Sequence, residues 1–278
     1  MFGAVYGDII GSYYEVHATK QMDFPLFVPQ STFTDDTVMT AAVCETLLAG
    51  RRPARGFLER RHRAREYACR YRQYYARYPS AGFGEMFRAW AEKPELTRQR
   101  SYGNGAAMRV IPIAYACSTL EEVLREARLS SLFTHCHPEA VAGAQAVAAA
   151  AFLALQGTSK ENIRRELEKR FGYALGRPLT EIRTDFAFDS RTARTVPPAI
   201  RAFLEAEDYE EAVRLAVSLG GDADTMACIA GGIAEAYFHI IPEPIRIRGD
   251  RLLDSGLKTT LRAFQKHFAA DGNYLPYK

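Results

Sequence analysis

The 278 residues are 47% hydrophobic and 25% charged, which excludes wholesale disorder and supplies a core that needs no disulfide framework. A net charge of +3 is too small to argue for nucleic acid by itself. Cys44, Cys69, Cys117, Cys136 and Cys228 form no close pairs and mostly lie in apolar runs, so free thiols in a reducing, cytoplasmic compartment are expected, not a zinc site or a secreted scaffold.

In chain order, helical periodicity places helices over 2–14, 35–48, 55–75, 83–91, 105–117 and 120–129, then over 138–155, 160–171, 192–206, 209–219, 224–239 and 250–268. Strand signals are scarce. Asp8 and Glu15 interrupt the opening, so it reads as a helix and not as a signal peptide. Residues 140–157 carry no charge over a length that could cross a bilayer, but their Ala, Gly and Val content and Gln145 suit a buried packing helix and not a membrane span. The helices over 2–14, 105–117, 138–155 and 224–239 are crowded with small residues that let axes approach closely, so they should form the centre. The Arg- and Glu-rich helices over 55–75 and 160–171 should lie outside. No repeat or linker divides residues 1–278, so one all-α domain is expected.

Basic residues are unevenly spread: nine arginines fall between Arg51 and Arg72, whereas 31–49, 101–108, 129–159 and 218–238 have no Lys or Arg. The acids in those stretches have no basic neighbour in sequence. Three acidic motifs sit at or near helix starts: Gly7-Asp8 through Glu15, Thr34-Asp35-Asp36-Thr37, and Gly220-Gly221-Asp222-Ala223-Asp224-Thr225. Any one of them has an ordinary explanation as a helix cap or as an acidic first turn facing the helix dipole. Capping uses one oxygen, however, and two of the motifs supply two carboxylates plus a Thr hydroxyl. Hard divalent cations take such oxygen-rich sets. Carboxylates that converge without basic partners repel unless cations neutralise them, and a paired-cation site resolves that conflict.

Residues 101–109, Ser-Tyr-Gly-Asn-Gly-Ala-Ala-Met-Arg, form a Gly-rich loop opening onto a helix. Backbone N–H groups at such a turn can receive a phosphate, with Tyr102 stacking on a base. Thr134-His135-Cys136-His137-Pro138 precedes another helix, with no second Cys/His cluster to complete a zinc site. His135 reads either as capping and packing or as a hydrogen-bond donor to an anionic ligand. The run from Arg51 to Arg72 reads as a solvated helix face with Glu59 and Glu66 in partial pairing, in preference to a docking patch for poly(ADP-ribose) or nucleic acid.

Five ordered blocks, residues 7–15, 33–37, 101–109, 134–140 and 220–232, give the sequence a resemblance to the ADP-ribosylglycohydrolase family over nearly its whole length. The resemblance implies an all-α orthogonal multi-helix domain with a central binuclear site for Mg²⁺ or Mn²⁺, Mg²⁺ being the first choice. It implies metal ligands at Glu15, Thr34, Asp35, Asp36, Asp222, Asp224 and Thr225, with Glu15, Asp35 and Asp36 as catalytic carboxylates. It places substrate contacts at Ser101, Tyr102, Gly103, Asn104 and His135, with Tyr102 facing adenosine. The implied substrate is an ADP-ribosylated protein or a small ADP-ribose conjugate. A catalytically inactive, ADP-ribose-binding or structural member of the same fold is the alternative.

Overall fold

The computed structural model describes residues 1–50 and 56–270. Among them are fourteen α-helices and no strand; Arg51, Arg52 and Arg55 lie outside the described residues. The helices are α1 Phe2–Val16, α2 Asp35–Ala49, α3 Phe57–Arg77, α4 Glu85–Ala91, α5 Ile111–Ala116, α6 Leu120–Ser131, α7 Pro138–Leu155 and α8 Lys160–Phe171. They continue as α9 Leu179–Asp185, α10 Thr192–Glu205, α11 Tyr209–Val217, α12 Ala223–Phe238, α13 Glu243–Leu252 and α14 Ser255–Ala270.

The centre is α12, which is buried from Ala223 to Ala236. A helix apolar on every side needs neighbours on every side, and α1, α2, α5, α7, α10 and α11 supply them. The α1 contact sets the geometry of everything that follows. Gly3, Gly7 and Gly11 recur every four residues, so they form one stripe along α1. A Cβ on each would come closer than 3.0 Å to the carbonyl oxygens of Gly231, Ala227 and Ala223 respectively. The two backbones therefore touch directly and run antiparallel. This brings the last turn of α1, with Glu15, to the first turn of α12, with Asp222 and Asp224.

Helix α7 is long and apolar enough to cross a membrane by length and composition, yet two-thirds of it is buried against protein. It packs on α5, α6, α8, α10 and α12 and is a core helix here. On α8 only Ile163 and Leu167 are buried, which puts that charged helix outside. Helix α3 is more deeply seated than its composition suggests, because Tyr67, Tyr71 and Tyr74 form a buried stripe.

Three sequence expectations need correction. The helix expected over 105–117 is a short 3₁₀ turn, Asn104–Ala106, followed by a separate α5. Pro112 occupies the second position of α5, where its missing N–H costs nothing, and that position starts a helix instead of continuing one. The helix expected over 250–268 is two helices, because Asp254 accepts the Leu257 N–H at 2.8 Å and caps a new start. Helix α9 was not foreseen: of its seven residues only Leu179 is buried, so it has no periodicity to detect.

Candidate active site

Three helix ends meet at one cleft of about 470 Å³. Glu15 comes from the C-terminal end of α1, Thr34, Asp35 and Asp36 from the N-terminus of α2, and Asp222, Asp224 and Thr225 from the N-terminus of α12. Ser101, Tyr102, Gly103, Asn104 and His135 line the same cleft. Every site residue expected from the sequence is thus brought to a single cavity. Helix N-termini carry partial positive charge, so two of the three ends offset part of the carboxylate repulsion.

Local capping does not use up these acids. The N-cap of α2 is Thr34, whose hydroxyl accepts the Asp36 N–H at 3.3 Å. Asp222 stands at the N-cap position of α12 without making a side-chain cap bond. Its Oδ2 instead accepts from the Asn104 amide at 2.8 Å. The Asn104 amide also donates to Thr195 Oγ1 at 3.1 Å, so Asn104 orients Asp222 and its amide hydrogens are taken. Thr225 Oγ1 donates to Asp36 Oδ2 at 3.3 Å, joining α12 to α2.

One carboxylate of the cluster is scaffolding. Asp8, fully buried on α1, accepts the N–H groups of Thr34 and Thr37 at 3.0 and 3.1 Å and both of their hydroxyls at 2.7 and 2.5 Å. It is the anion on which the N-terminus of α2 sits. Nothing in the sequence shows that Asp8 holds the amides of a helix that starts 27 residues later.

Oxygens of Asp8, Asp36 and Asp224 lie within 4.8 Å of one another, as do those of Glu15, Asp222 and Asp224. The two groups share Asp224. Among the described residues no Lys or Arg forms an ion pair with any of these acids or with Asp35. Burial and then the charges of Asp8 and Asp222 push Asp35 up to about 8. Burial, with Asp8 and Asp35, holds Asp36 well above the carboxylate range, and burial with Asp222 and Asp36 does the same to Asp224. Glu15 is raised by burial, Asp222 and Asp8. Asp36 Oδ1 is buried with no hydrogen-bond partner. A buried carboxylate oxygen without a hydrogen-bond partner amid like charges can accept a cation, so the donor set is one that could hold a hard divalent ion.

The opposite wall is the segment 99–105. It is held on one side by Gln99 N–H to Phe133 O (2.8 Å) and Cys136 N–H to Gln99 O (3.0 Å), and on the other by Asn104 N–H to Ser190 O (2.8 Å) and Thr192 N–H to Tyr102 O (3.0 Å). Ser101 Oγ takes the Gly103 N–H at 3.1 Å. The N–H groups of Gly103 and Asn104 are therefore engaged within the protein, and the expected phosphate cradle does not include them. Tyr102 is half exposed at the mouth, edge-on to His137 at 5.9 Å. His137, and not His135, caps α7. Phe188, Ser190 and Arg191, from the turn before α10, complete the rim, as do Gly82, Gly84 and Glu85 around the start of α4. No motif or periodicity in those stretches marks them. Lys20 anchors the Phe188 turn from outside, donating to the carbonyls of Arg183, Phe186 and Leu219.

The sequence model of the ADP-ribosylglycohydrolase family matches residues 1–267. The chain belongs to the ADP-ribosylglycohydrolase family. It is 28% identical to ADP-ribosylhydrolase ARH3 of Homo sapiens over 318 aligned positions, covering 87% of this chain and 85% of the relative. A second relative, ADP-ribosylarginine hydrolase Tri1 of Serratia proteamaculans, is 27% identical over 161 positions, covering 53% of this chain and 43% of that one. Among solved structures, an "ADP-ribosylglycohydrolase-related protein complex" superposes with a TM-score of 0.61 at 28% identity, covering 95% of this chain and 94% of that one. The all-α fold is thus that of the ADP-ribosylglycohydrolase family.

Half of the described arginines between Arg51 and Arg72 are spent on structure. Arg63 is buried and donates to the carbonyls of Thr46 and Gly50, Arg70 pairs with Glu45 at 2.7 Å, and Arg72 donates to the carbonyls of Trp90 and Glu95. Arg60, Arg61 and Arg65 are the exposed members.

Proposed function

We propose that this chain is a hydrolase that releases ADP-ribose from ADP-ribosylated proteins or small ADP-ribose conjugates, using two divalent cations. The observation that carries the reading is the meeting of Glu15, Asp35, Asp36, Asp222 and Asp224 in one cleft, with none of them ion-paired to a Lys or Arg among the described residues. Glu15, Thr34, Asp35, Asp36, Asp222, Asp224 and Thr225 would hold the cations, which supply charge neutralisation, grip on the ribose hydroxyls and a more acidic water. An all-oxygen donor set suits Mg²⁺ first and Mn²⁺ second.

The protein's own part is positioning and proton handling. Tyr102 presents a half-exposed ring for adenine at the mouth. Asn104 holds Asp222, and Asp8 holds the Asp35/Asp36 turn. The scissile bond joins the anomeric carbon to the acceptor, and its cleavage passes through an oxocarbenium-like state. Water forms the new C–O bond as the acceptor departs with the bonding electrons, and a carboxylate takes a proton from the water and returns it to the departing acceptor. Glu15 is assigned that role, because it is the exposed carboxylate of its group and lines the cleft. The inactive alternative is not favoured, since a chain without turnover has no need of an intact, mutually repulsive ligand set. The free thiols support a cytoplasmic setting.

The test is a panel of defined ADP-ribosyl conjugates incubated with Mg²⁺, Mn²⁺ or chelator, reading products. Free ADP-ribose that requires cation supports the reading. AMP as product would replace it with a phosphohydrolase, and tight binding without any product would establish the inactive alternative.

A further inference from the structure

His135 is nine-tenths buried and lines the cleft, and its two ring nitrogens have different surroundings. Nδ1 lies 2.8 Å from Thr134 Oγ1. Thr134 is fully buried, and its Oγ1 already accepts a hydrogen bond from Arg109 Nη2 at 2.7 Å. A guanidinium only donates, so the hydroxyl hydrogen must point elsewhere, and the acceptor within reach is His135 Nδ1. A proton on Nδ1 would leave the Thr134 O–H buried without an acceptor, and a doubly protonated ring would do the same while adding a positive charge near Arg109. Arg109 itself cannot swing away. It is fully buried, its guanidinium lies 4.0 Å from the Tyr71 ring centre, and it donates to Ser130 O at 3.1 Å.

The other nitrogen, Nε2, makes no hydrogen bond to any of the described residues. It faces the glycine turn, where a Cβ on Gly105 would stand 3.0 Å from it and one on Gly103 3.8 Å. Glycine at these positions keeps the approach to Nε2 open.

We infer that Thr134 and Arg109 are positioning residues that hold His135 as its neutral Nε2–H tautomer, so that the cleft presents a fixed N–H donor to an oxygen of bound ADP-ribose. This rests on the reading of the cleft as an ADP-ribose site. Fixing the tautomer before binding removes the cost of choosing it afterwards, so the contact strengthens affinity without adding a charge. Burial and the nearby Arg109 charge lower the affinity of the ring for a second proton, in keeping with this arrangement.

The experiment is ¹⁵N-histidine NMR of the ligand-free protein at pH 7, with the His135 signals assigned by their loss in His135→Gln, followed by ADP-ribose titration in Mg²⁺. The expected result is a protonated Nε2 and an unprotonated Nδ1. Thr134→Val removes the hydroxyl at equal size; it should shift the ring toward a tautomer mixture and weaken ADP-ribose binding by about tenfold. Thr134→Ser restores the hydroxyl and should restore both signals. A wild-type proton on Nδ1, or Thr134→Val with unchanged tautomer and affinity, overturns the inference. If Thr134→Val does not fold, the wild-type spectrum and Thr134→Ser decide. Wild-type protein with the expected tautomer and no ADP-ribose binding would reject the substrate reading and leave the relay standing.

Discussion

The Thr37 hydroxyl donates to Asp8 Oδ2 at 2.5 Å across 29 residues of sequence, and with the three other donors on Asp8 it fixes where α2 begins relative to α1. Asp8→Ala leaves four buried donors without an acceptor and should cost about 2–4 kcal/mol, read as a lower denaturant midpoint. Asp8→Asn retains one carbonyl oxygen and should cost less than half as much. Equal losses in the two variants would show that the charge, and not the acceptor geometry, seats the helix.

Asp36→Asn separates scaffolding from cation binding. Asp36 keeps one buried oxygen with no partner and stands among like charges, so the amide should leave the cation-free protein as stable as before or more so. ADP-ribose release in Mg²⁺ should fall by at least about a hundredfold, the scale of losing a metal-positioning group. Thermal melts in chelator and product assays in Mg²⁺ check the two halves. Retained activity would remove Asp36 from the cation site.

Stability without cations should decline as pH rises. Asp8 is pushed up to about 6 by burial and Asp35 to about 8 by burial, Asp8 and Asp222, so the folded chain holds protons that the unfolded chain releases. The stabilisation linked to those protons is complete below the unfolded carboxylate pKa, about 4, and is lost as pH climbs through 6 and 8. In the proposed site Mg²⁺ would take the place of the protons. The rise in Tm on adding Mg²⁺ should therefore be larger at pH 8 than at pH 5, and at a hundredfold excess over Kd it corresponds to about 2.7 kcal/mol. Equal Mg²⁺ shifts at both pH values would contradict the linkage.

Gly7→Ala tests the helix contact that assembles the cleft. The added methyl meets the Ala227 carbonyl, a backbone atom that cannot step aside by changing rotamer. We expect a loss of about 1–3 kcal/mol and a lower Tm, with weakened cation binding because Glu15 is moved relative to Asp222 and Asp224. Gly56→Ala serves as the control, since a Cβ there meets no atom closer than 3.8 Å. Equal behaviour of the two variants would mean that α1 and α12 adjust freely.

Most of the helices and the acids that line the cleft are legible because both leave local signals: periodicity marks α6, α10 and α11, small-residue composition marks α7 and α12, and the acid–hydroxyl motifs are contiguous. The missed features depend on contacts between distant segments or on absent periodicity. Helix α9 buries one residue, and the Phe188 turn has no pattern of its own. That Asn104 serves Asp222, or that Thr134 joins Arg109 to His135, follows only from packing. Asp254 and Pro112 were the exceptions, since a cap residue and an N2 proline carry sequence signals that a continuous helix reading overrode. The Gly-rich loop is legible in the sequence, but the bond from its Asn104 N–H to the Ser190 carbonyl depends on a segment 86 residues away.

The most direct measurement of the paired-cation site is an anomalous difference map from crystals grown with Mn²⁺. The account predicts two peaks in the cleft among Glu15, Asp35, Asp36, Asp222 and Asp224, both abolished in Asp224→Asn, whose carboxylate is common to the two acidic groups. No peak there, or manganese bound only elsewhere on the surface, would contradict it.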